Sequence, residues 1–312
     1  MKFLQTTIKS PVSFAGIGLH TGHAVRATLR PAAAEYGIWF RRTDLSDVDT
    51  LIAARWDSVD PMDRCTRLSN AAGVSVSTVE HVMAALAGCG IHNAIIDVDG
   101  PELPVLDGSS AGFVSAIVAR GLRKLDAPVR VLRVVKPVEV REGAGWARLD
   151  PADSLEIDFS IDFPDEAIGR QQKRLDMANG TFVRELCTAR TFGRLSDVEM
   201  LRANGLARGG SLDNAIVVDG GRVLNPGGLR HEDEPVRHKM LDALGDLSLA
   251  GAPLIGRYTG HRAGHALTNR LLHALFAQPG ATRMETCDAD MARRLPGMGV
   301  RRADVPVLAR AA

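Results

Sequence analysis

The spacing of apolar residues changes period several times along the chain. Val25, Ala27 and Leu29 alternate with more polar neighbours before Pro31, and Ile38-Trp39-Phe40 follows a glycine turn, so the first stretch predicts strands. A helix is predicted over about 78–87, then a short buried strand at Ala94-Ile95-Ile96-Asp97-Val98. Asp107-Gly108-Ser109-Ser110 reads as a turn feeding a second helix through Phe113, Ile117 and Val118. The charged stretch 121–128 ends in Pro128 and marks the expected domain boundary.

The second half repeats this order. Residues 131–140 are strand-like, and 155–163 form the cleanest period-two run, apolar on one face and polar on the other. Helices are expected at about 181–188, 197–204, 235–249 and 264–277. Strands first and helices later in each half predict an α+β protein of two similar domains, 1–126 and 127–312, each a β-sheet covered on one face by a helix pair. A short echo fits a duplication: Glu80-His81-Val82-Met83-Ala84-Ala85-Leu86 resembles Arg237-His238-Lys239-Met240-Leu241-Asp242-Ala243-Leu244 with one residue of slippage. Each half would then carry a histidine on its core helix.

Composition narrows the function. The 312 residues are 45% apolar and 24% charged, which suits a packed core. Lys plus Arg is 38 against 37 for Asp plus Glu, a balance unlike that of proteins that coat polyanions. Aromatics, at 4%, are too few for a run of base-stacking platforms. Cys65, Cys89, Cys187 and Cys287 are scattered without a CxxC pair, which excludes a disulfide framework or thiolate zinc knuckle and fits a reducing compartment. The stretch Met1 to Lys9 lacks the apolar core of a signal peptide, and no run of about 18 apolar residues occurs, so a cytoplasmic protein without stable membrane insertion is expected.

Candidate chemistry centres on the helix at 235–249. Acidic residues Glu232, Asp233 and Glu234 precede Pro235, which suits a first helical position. At about 100° per residue, Val236, Met240, Ala243, Leu244 and Leu247 form the apolar stripe, with His238, Asp242 and Asp246 within about 80° of one another opposite it. Ligands at i and i+4 on one face can grip a cation, although an isolated HxxxD is more often a solvated helix face. His81 is the natural third ligand from the other half. Glu80 beside it could take a proton from an attacking water, or could close the capping box Ser77-Thr78-Val79-Glu80 at the helix start.

Other histidines offer rival sites. His20 and His23 lie in the glycine-rich turn Gly18-Leu19-His20-Thr21-Gly22-His23. His261 and His265 are also four apart, but Gly264 breaks a continuous helix, and His265 reads as the opening of the 264–277 helix. There the dipole disfavours imidazolium, so a cationic His265 needs a carboxylate, for which Asp246 is best placed. His92, His231 and His273 read as structural.

Together these pieces resemble the zinc-dependent UDP-3-O-acyl-N-acetylglucosamine deacetylase family of lipid A biosynthesis. The matching stretches are Gly16-Ile17-Gly18-Leu19-His20-Thr21-Gly22, residues 36–44, Ser77-Thr78-Val79-Glu80-His81, Asp107-Gly108-Ser109, Ala189-Arg190-Thr191-Phe192-Gly193, Gly209-Gly210-Ser211, the run from His238 to Asp246, and Gly264-His265-Ala266-Leu267. They fall in the family's order from near residue 8 to about 277, and the tail after about 280 matches loosely.

The resemblance implies zinc held by His81, His238 and Asp242, with Glu80 as general base. His265 would be the acid that protonates the leaving amine, oriented by Asp246, and Thr191 would help hold the oxyanion. Phe192 would pack on the sugar and Lys239 would meet the nucleotide diphosphate. The implied fold places the helices between two sheets, with one small insert per domain. The second insert, a βαβ-type unit at about 190–220, would line a passage for the acyl chain with Leu201, Ala207, Ala215 and Val217. Leu19, Gly210 and Ser211 are further implied substrate contacts. Arg194 departs from the apolar character expected at the passage, and Cys65, between Arg64 and Arg67, is at most a weak ligand for an inhibitory metal.

The expected protein is thus a zinc amidohydrolase acting on a UDP-linked acylated N-acetylglucosamine, monomeric and without a nucleic-acid partner. The alternative is a non-catalytic duplicated α+β module binding nucleotide or RNA, which would need no metal. A carbohydrate kinase is excluded by the lack of a GxxxxGKS loop.

Overall fold

A computed structural model describes residues 3–60 and 64–306. In the first half, β1 (Leu4–Ile8), β2 (Val12–Ile17), β3 (Ala24–Pro31), β4 (Ile38–Arg42) and β5 (Leu51–Ala53) come before any α-helix. A small insert of β6 (Val59–Asp60), β7 (Arg67–Ser69) and β8 (Ser75–Ser77) leads into α1 (Glu80–Gly88). Then come β9 (Ala94–Val98), α2 (Ala111–Arg120) and β10 (Leu122–Pro128).

The first sheet runs β2-β3-β9-β4-β5. Its pairing is antiparallel except for β4 with β9, Ile38 facing Ala94, and a parallel pair needs a long connection. Here that connection holds β5, the insert and α1, which is how the chain delivers a helix to the middle of the molecule.

The second half begins with β11 (Arg130–Val134), β12 (Val138–Glu142), β13 (Gly145–Asp150), β14 (Leu155–Asp162) and β15 (Arg170–Asp176). Leu155, Ile157, Phe159 and Ile161 of β14 all point inward, the burial that the period-two run required. A second insert follows: β16 (Phe192–Arg194), α3 (Leu195–Ala203), β17 (Ile216–Asp219) and β18 (Arg222–Val223), with β16 and β17 parallel around α3. The chain continues through α4 (Glu234–Leu247), β19 (Leu254–His261), α5 (His265–Ala277), β20 (Thr282–Thr286) and α6 (Ala289–Ala292). Strand β19 is the hub of the second sheet, parallel to β14 and antiparallel to β13, with its first residues beside β11.

Helix α2 rests on β2, while α5 rests on β12 and β13 and α4 on β14. Helix α1 packs along α4, so the two halves meet helix to helix between the sheets. This is the α+β architecture expected, with three local differences. Residues 121–128, read as a charged connector, include β10, which pairs antiparallel with β1. Residues 131–140 divide into two strands around Lys136-Pro137, because proline cannot donate to a ladder. Residues 181–188 form a single π-helical turn, Phe182–Leu186. The tail adds β20 to the sheet beside β11, and Cys287, Ala292 and Leu295 join Val129, Val131 and Ile255 in a second apolar cluster.

Candidate active site

The close approach of α1 to α4 depends on Gly245. A Cβ there would strike the Glu80 carbonyl, so only glycine lets the start of α1 lie against the fourth turn of α4. That contact brings His81 to His238 and Asp242. Their ligating atoms all lie within 4.8 Å of one another. His81 Nε2 is 3.7 Å and His238 Nε2 3.4 Å from Asp242 Oδ1, with the two rings edge to face at 5.0 Å.

Helix α4 is buried on nearly every side, which rules out a solvated face for His238 and Asp242. Nδ1–H of His238 donates to the Ala189 carbonyl at 3.0 Å, an arrangement that leaves Nε2 as a lone-pair donor. Burial, reinforced by His238, pushes His81 down to about 3, and burial lowers His238 too, so both rings are neutral. Asp242 would be raised by burial, but His238, Lys239, His265 and His81 hold it far below the usual carboxylate range. Its Oδ2 accepts from Lys239 Nζ at 2.6 Å, whereas Oδ1 is buried with no hydrogen-bond partner among the described residues. Two neutral imidazoles aimed at an orphaned anionic oxygen fit a divalent metal ion, and the mixed nitrogen and oxygen set suits zinc among such ions.

Around this cluster stands a second set of groups. The capping box is not formed: Val79 is the N-cap of α1 without a side-chain bond, and Ser77 Oγ donates to the Pro101 carbonyl. Glu80 is instead free to face the cluster, with Oε2 accepting from the Thr66 backbone N–H at 3.1 Å. Its burial, together with Asp242 and Asp246 nearby, raises it to about 7, against the pull of His265. His265 opens α5 with Gly264 as N-cap. Burial opposes charge on its ring, but Asp246, Glu80 and Asp242 outweigh that and raise it to about 9. Its Nδ1 is 2.8 Å from Asp246 Oδ2, and its Nε2 is 3.7 Å from both Glu80 Oε1 and Asp242 Oδ2.

Thr191 precedes the second insert, its N–H donating to the Gly108 carbonyl and its carbonyl accepting from Ile216 N–H, both at 2.8 Å. Phe192 stands beside the cluster, its ring 6.3 Å from that of His238. The glycine-rich turn and the loop after α3 lock together: Gly209 N–H donates to the Leu19 carbonyl and Arg208 N–H to the His20 carbonyl. This places Leu19 against Gly210, next to Ala207. Ser211 is exposed at the end of that loop, Leu201 lies on α3, and Ala215 leads into β17, which carries Val217. Arg194 is paired with Asp165.

Of the rival histidines, His261 sits on β19 against Ser160, and His92, His231 and His273 contact Thr6, Thr188 and Trp56. His20 is buried with neither ring nitrogen bonded among the described residues, yet it is outside the metal-sized cluster. Cys65 is held up at about 12, by burial and then by Glu80, and so stays a thiol.

Two groups near the site carried no sequence signal, and a third pairs residues that the sequence had noted only separately. Thr66 touches Glu80, Asp246 and His265 from far along the chain. Glu102 gathers the backbone N–H groups of His20 and Thr21 with the hydroxyls of Thr21 and Thr78. The ion pair of Arg190 with Glu234 anchors the segment that bears Ala189 and Thr191 to the start of α4.

A family model described as LpxC, UDP-3-O-acyl N-acetylglycosamine deacetylase, matches residues 5–277. Similar curated proteins include the UDP-3-O-acyl-N-acetylglucosamine deacetylase of Phenylobacterium zucineum, 51% identical over 92% of this chain and 98% of that protein. Those of Idiomarina loihiensis and Shewanella frigidimarina carry the same name. The first is 48% identical over 92% of this chain and 94% of its own length, the second 45% over 97% and 95%.

Proposed function

The chain belongs to the UDP-3-O-acyl N-acetylglycosamine deacetylase family, and on that premise we propose how its buried cluster removes the N-acetyl group of UDP-3-O-acyl-N-acetylglucosamine. The reaction yields acetate and the free amine, and it is a step of lipid A biosynthesis. It is a hydrolysis, so the non-catalytic alternative falls.

In this reading His81, His238 and Asp242 hold a zinc ion. When bound, zinc supplies a Lewis acid for the amide carbonyl and makes a water nucleophilic at neutral pH. Glu80 takes one proton from the attacking water as the water oxygen bonds to the carbonyl carbon. Thr191 donates its hydroxyl to the developing oxyanion. His265 delivers a proton from Nε2 to the sugar nitrogen as the C–N bond breaks, since an amine leaves poorly without one, and Asp246 keeps the ring oriented. Phe192 packs on the sugar and Lys239 meets the diphosphate. Leu201, Ala207, Ala215 and Val217 border the acyl chain, and Leu19, Gly210 and Ser211 make further contacts with the substrate. A cytoplasmic, monomeric protein is part of the same proposal; the buried free cysteines fit a reducing compartment, and no described helix is long and apolar enough to cross a membrane.

The observation that carries this reading is the unpartnered Oδ1 of Asp242 facing two neutral imidazoles. The test is acetate release from the UDP-linked substrate by protein before chelation, after it, and after zinc is returned. Loss and recovery are expected; full turnover by the chelated protein contradicts the reading.

A further inference from the structure

We infer that Thr66 is a positioning residue that ties the base to the acid of this reaction. The inference rests on the acid role proposed for His265 and Asp246. Thr66 comes from the first insert, immediately before β7, which the pairing of Arg67 with Ser77 holds to β8. It is 1% exposed.

Its backbone N–H donates to Glu80 Oε2 at 3.1 Å, and its hydroxyl donates to Asp246 Oδ1 at 2.5 Å. Asn269 on α5 approaches the same hydroxyl oxygen as a donor at 3.5 Å, which leaves the hydroxyl proton for Asp246. The Asp246 carboxylate is then held at both oxygens, Oδ1 by Thr66 and Oδ2 by His265 Nδ1. A carboxylate gripped at both ends cannot turn about its own axis without losing a bond. The imidazole it orients therefore keeps Nε2 directed into the cluster, on the side of Glu80 Oε1.

The hydrolysis needs two proton movements in one site, from water to Glu80 and from His265 to the amine. One residue touches the apparatus of both: the main chain of Thr66 holds Glu80, which accepts the first proton, and its side chain holds Asp246, which orients the donor of the second. Side-chain variants separate the two functions, because the bond to Glu80 does not involve the hydroxyl. Misplacement of an acid by about 1 Å can cost on the order of 10²-fold in rate.

The experiment compares Thr66→Val and Thr66→Ser with the parent protein, alone and in an Asp246→Asn background, reading kcat, KM and bound zinc. Thr66→Val is expected to lower kcat by about 10- to 100-fold with KM and zinc content unchanged, and Thr66→Ser to restore most of it. With Asp246→Asn in place, Thr66→Val is expected to add no further loss, since its action passes through that carboxylate. The inference is overturned if Thr66→Val keeps the parent kcat, if Ser falls as far as Val, or if the two losses multiply. His265→Ala, run alongside, separates this from the underlying reading: an unimpaired His265→Ala removes the acid role and the inference with it. A crippled His265→Ala beside an unimpaired Thr66→Val removes the inference alone.

Discussion

Glu234 and Asp242 are carboxylates about two turns apart on α4, equally withdrawn from water and oppositely provided for. Glu234, 0% exposed, accepts from the main chain of Arg190 and Arg230 and from the Arg190 guanidinium. Burial alone would raise it, but Arg190 and these bonds hold it below the usual range. Asp242, 4% exposed, has one oxygen on Lys239 and the other without a hydrogen-bond partner among the described residues. Burial is common to both, so burial does not mark function. The mark is an anionic oxygen left without a hydrogen bond and faced by two neutral imidazoles, a combination that Glu234 lacks. Glu234 builds the frame, fixing the segment that leads to Thr191, and Asp242 is left open for the metal proposed above.

Substitutions that exchange these two situations put the comparison at risk. Asp242→Ala removes the open oxygen and is expected to abolish zinc binding and lower turnover by about 10⁴-fold or more, the scale of a lost Lewis acid. A zinc assay beside acetate release checks both. Glu80→Gln is expected to lower kcat by roughly 10²–10⁴-fold with zinc retained, which separates the base from the ligands. Glu234→Gln leaves the Arg190 guanidinium buried beside a neutral partner and is expected to cost about 3–5 kcal/mol in denaturant unfolding. Asp242→Ala in the zinc-free protein is expected to cost less, since Lys239 can turn to solvent. An equal loss would erase the distinction between the two carboxylates.

The pH profile sharpens the same picture. The proposed mechanism requires Glu80 unprotonated and His265 protonated. With burial raising Glu80 to about 7 and its carboxylate neighbours raising His265 to about 9, kcat/KM is expected to rise with pH through the first and fall through the second. A bound cation beside Glu80 favours the carboxylate and moves the rising limb to lower pH, while His265→Ala is expected to remove the falling limb. The smallest effect belongs to Ser77→Ala. Ser77 does not cap α1, so its loss is expected to change stability by no more than about 0.5 kcal/mol.

Much of the site was legible because helical spacing and terminal chemistry are local. The i, i+4 relation of His238 and Asp242, the acidic residues and Pro235 before α4, and Gly264 before His265 each act over one turn. The alternation in β14 was equally plain, since one sheet face is buried along its whole length. What stayed hidden acts across the fold. Thr66 lies 14 positions from Glu80 and 180 from Asp246, and nothing in a buried threonine's neighbours announces either contact. Glu102 is likewise a loop carboxylate until the glycine-rich turn folds over it. The charged residues of β10 read as a connector because its partner β1 is more than a hundred positions away. The Ser77 to Glu80 spacing left two readings open, and the start of α1 decides between them: Val79 is the N-cap, so Glu80 is the first helical residue and does not sit where a capping box needs it.

The claim on which the account stands is that one ion is shared by a histidine of the first half and two ligands of the second. Titration of zinc into chelated protein, parent against His81→Ala, tests it directly. One tightly bound ion per chain is expected for the parent, with His81→Ala binding far more weakly. A His81→Ala protein that binds zinc with the parent's affinity and stoichiometry would contradict it.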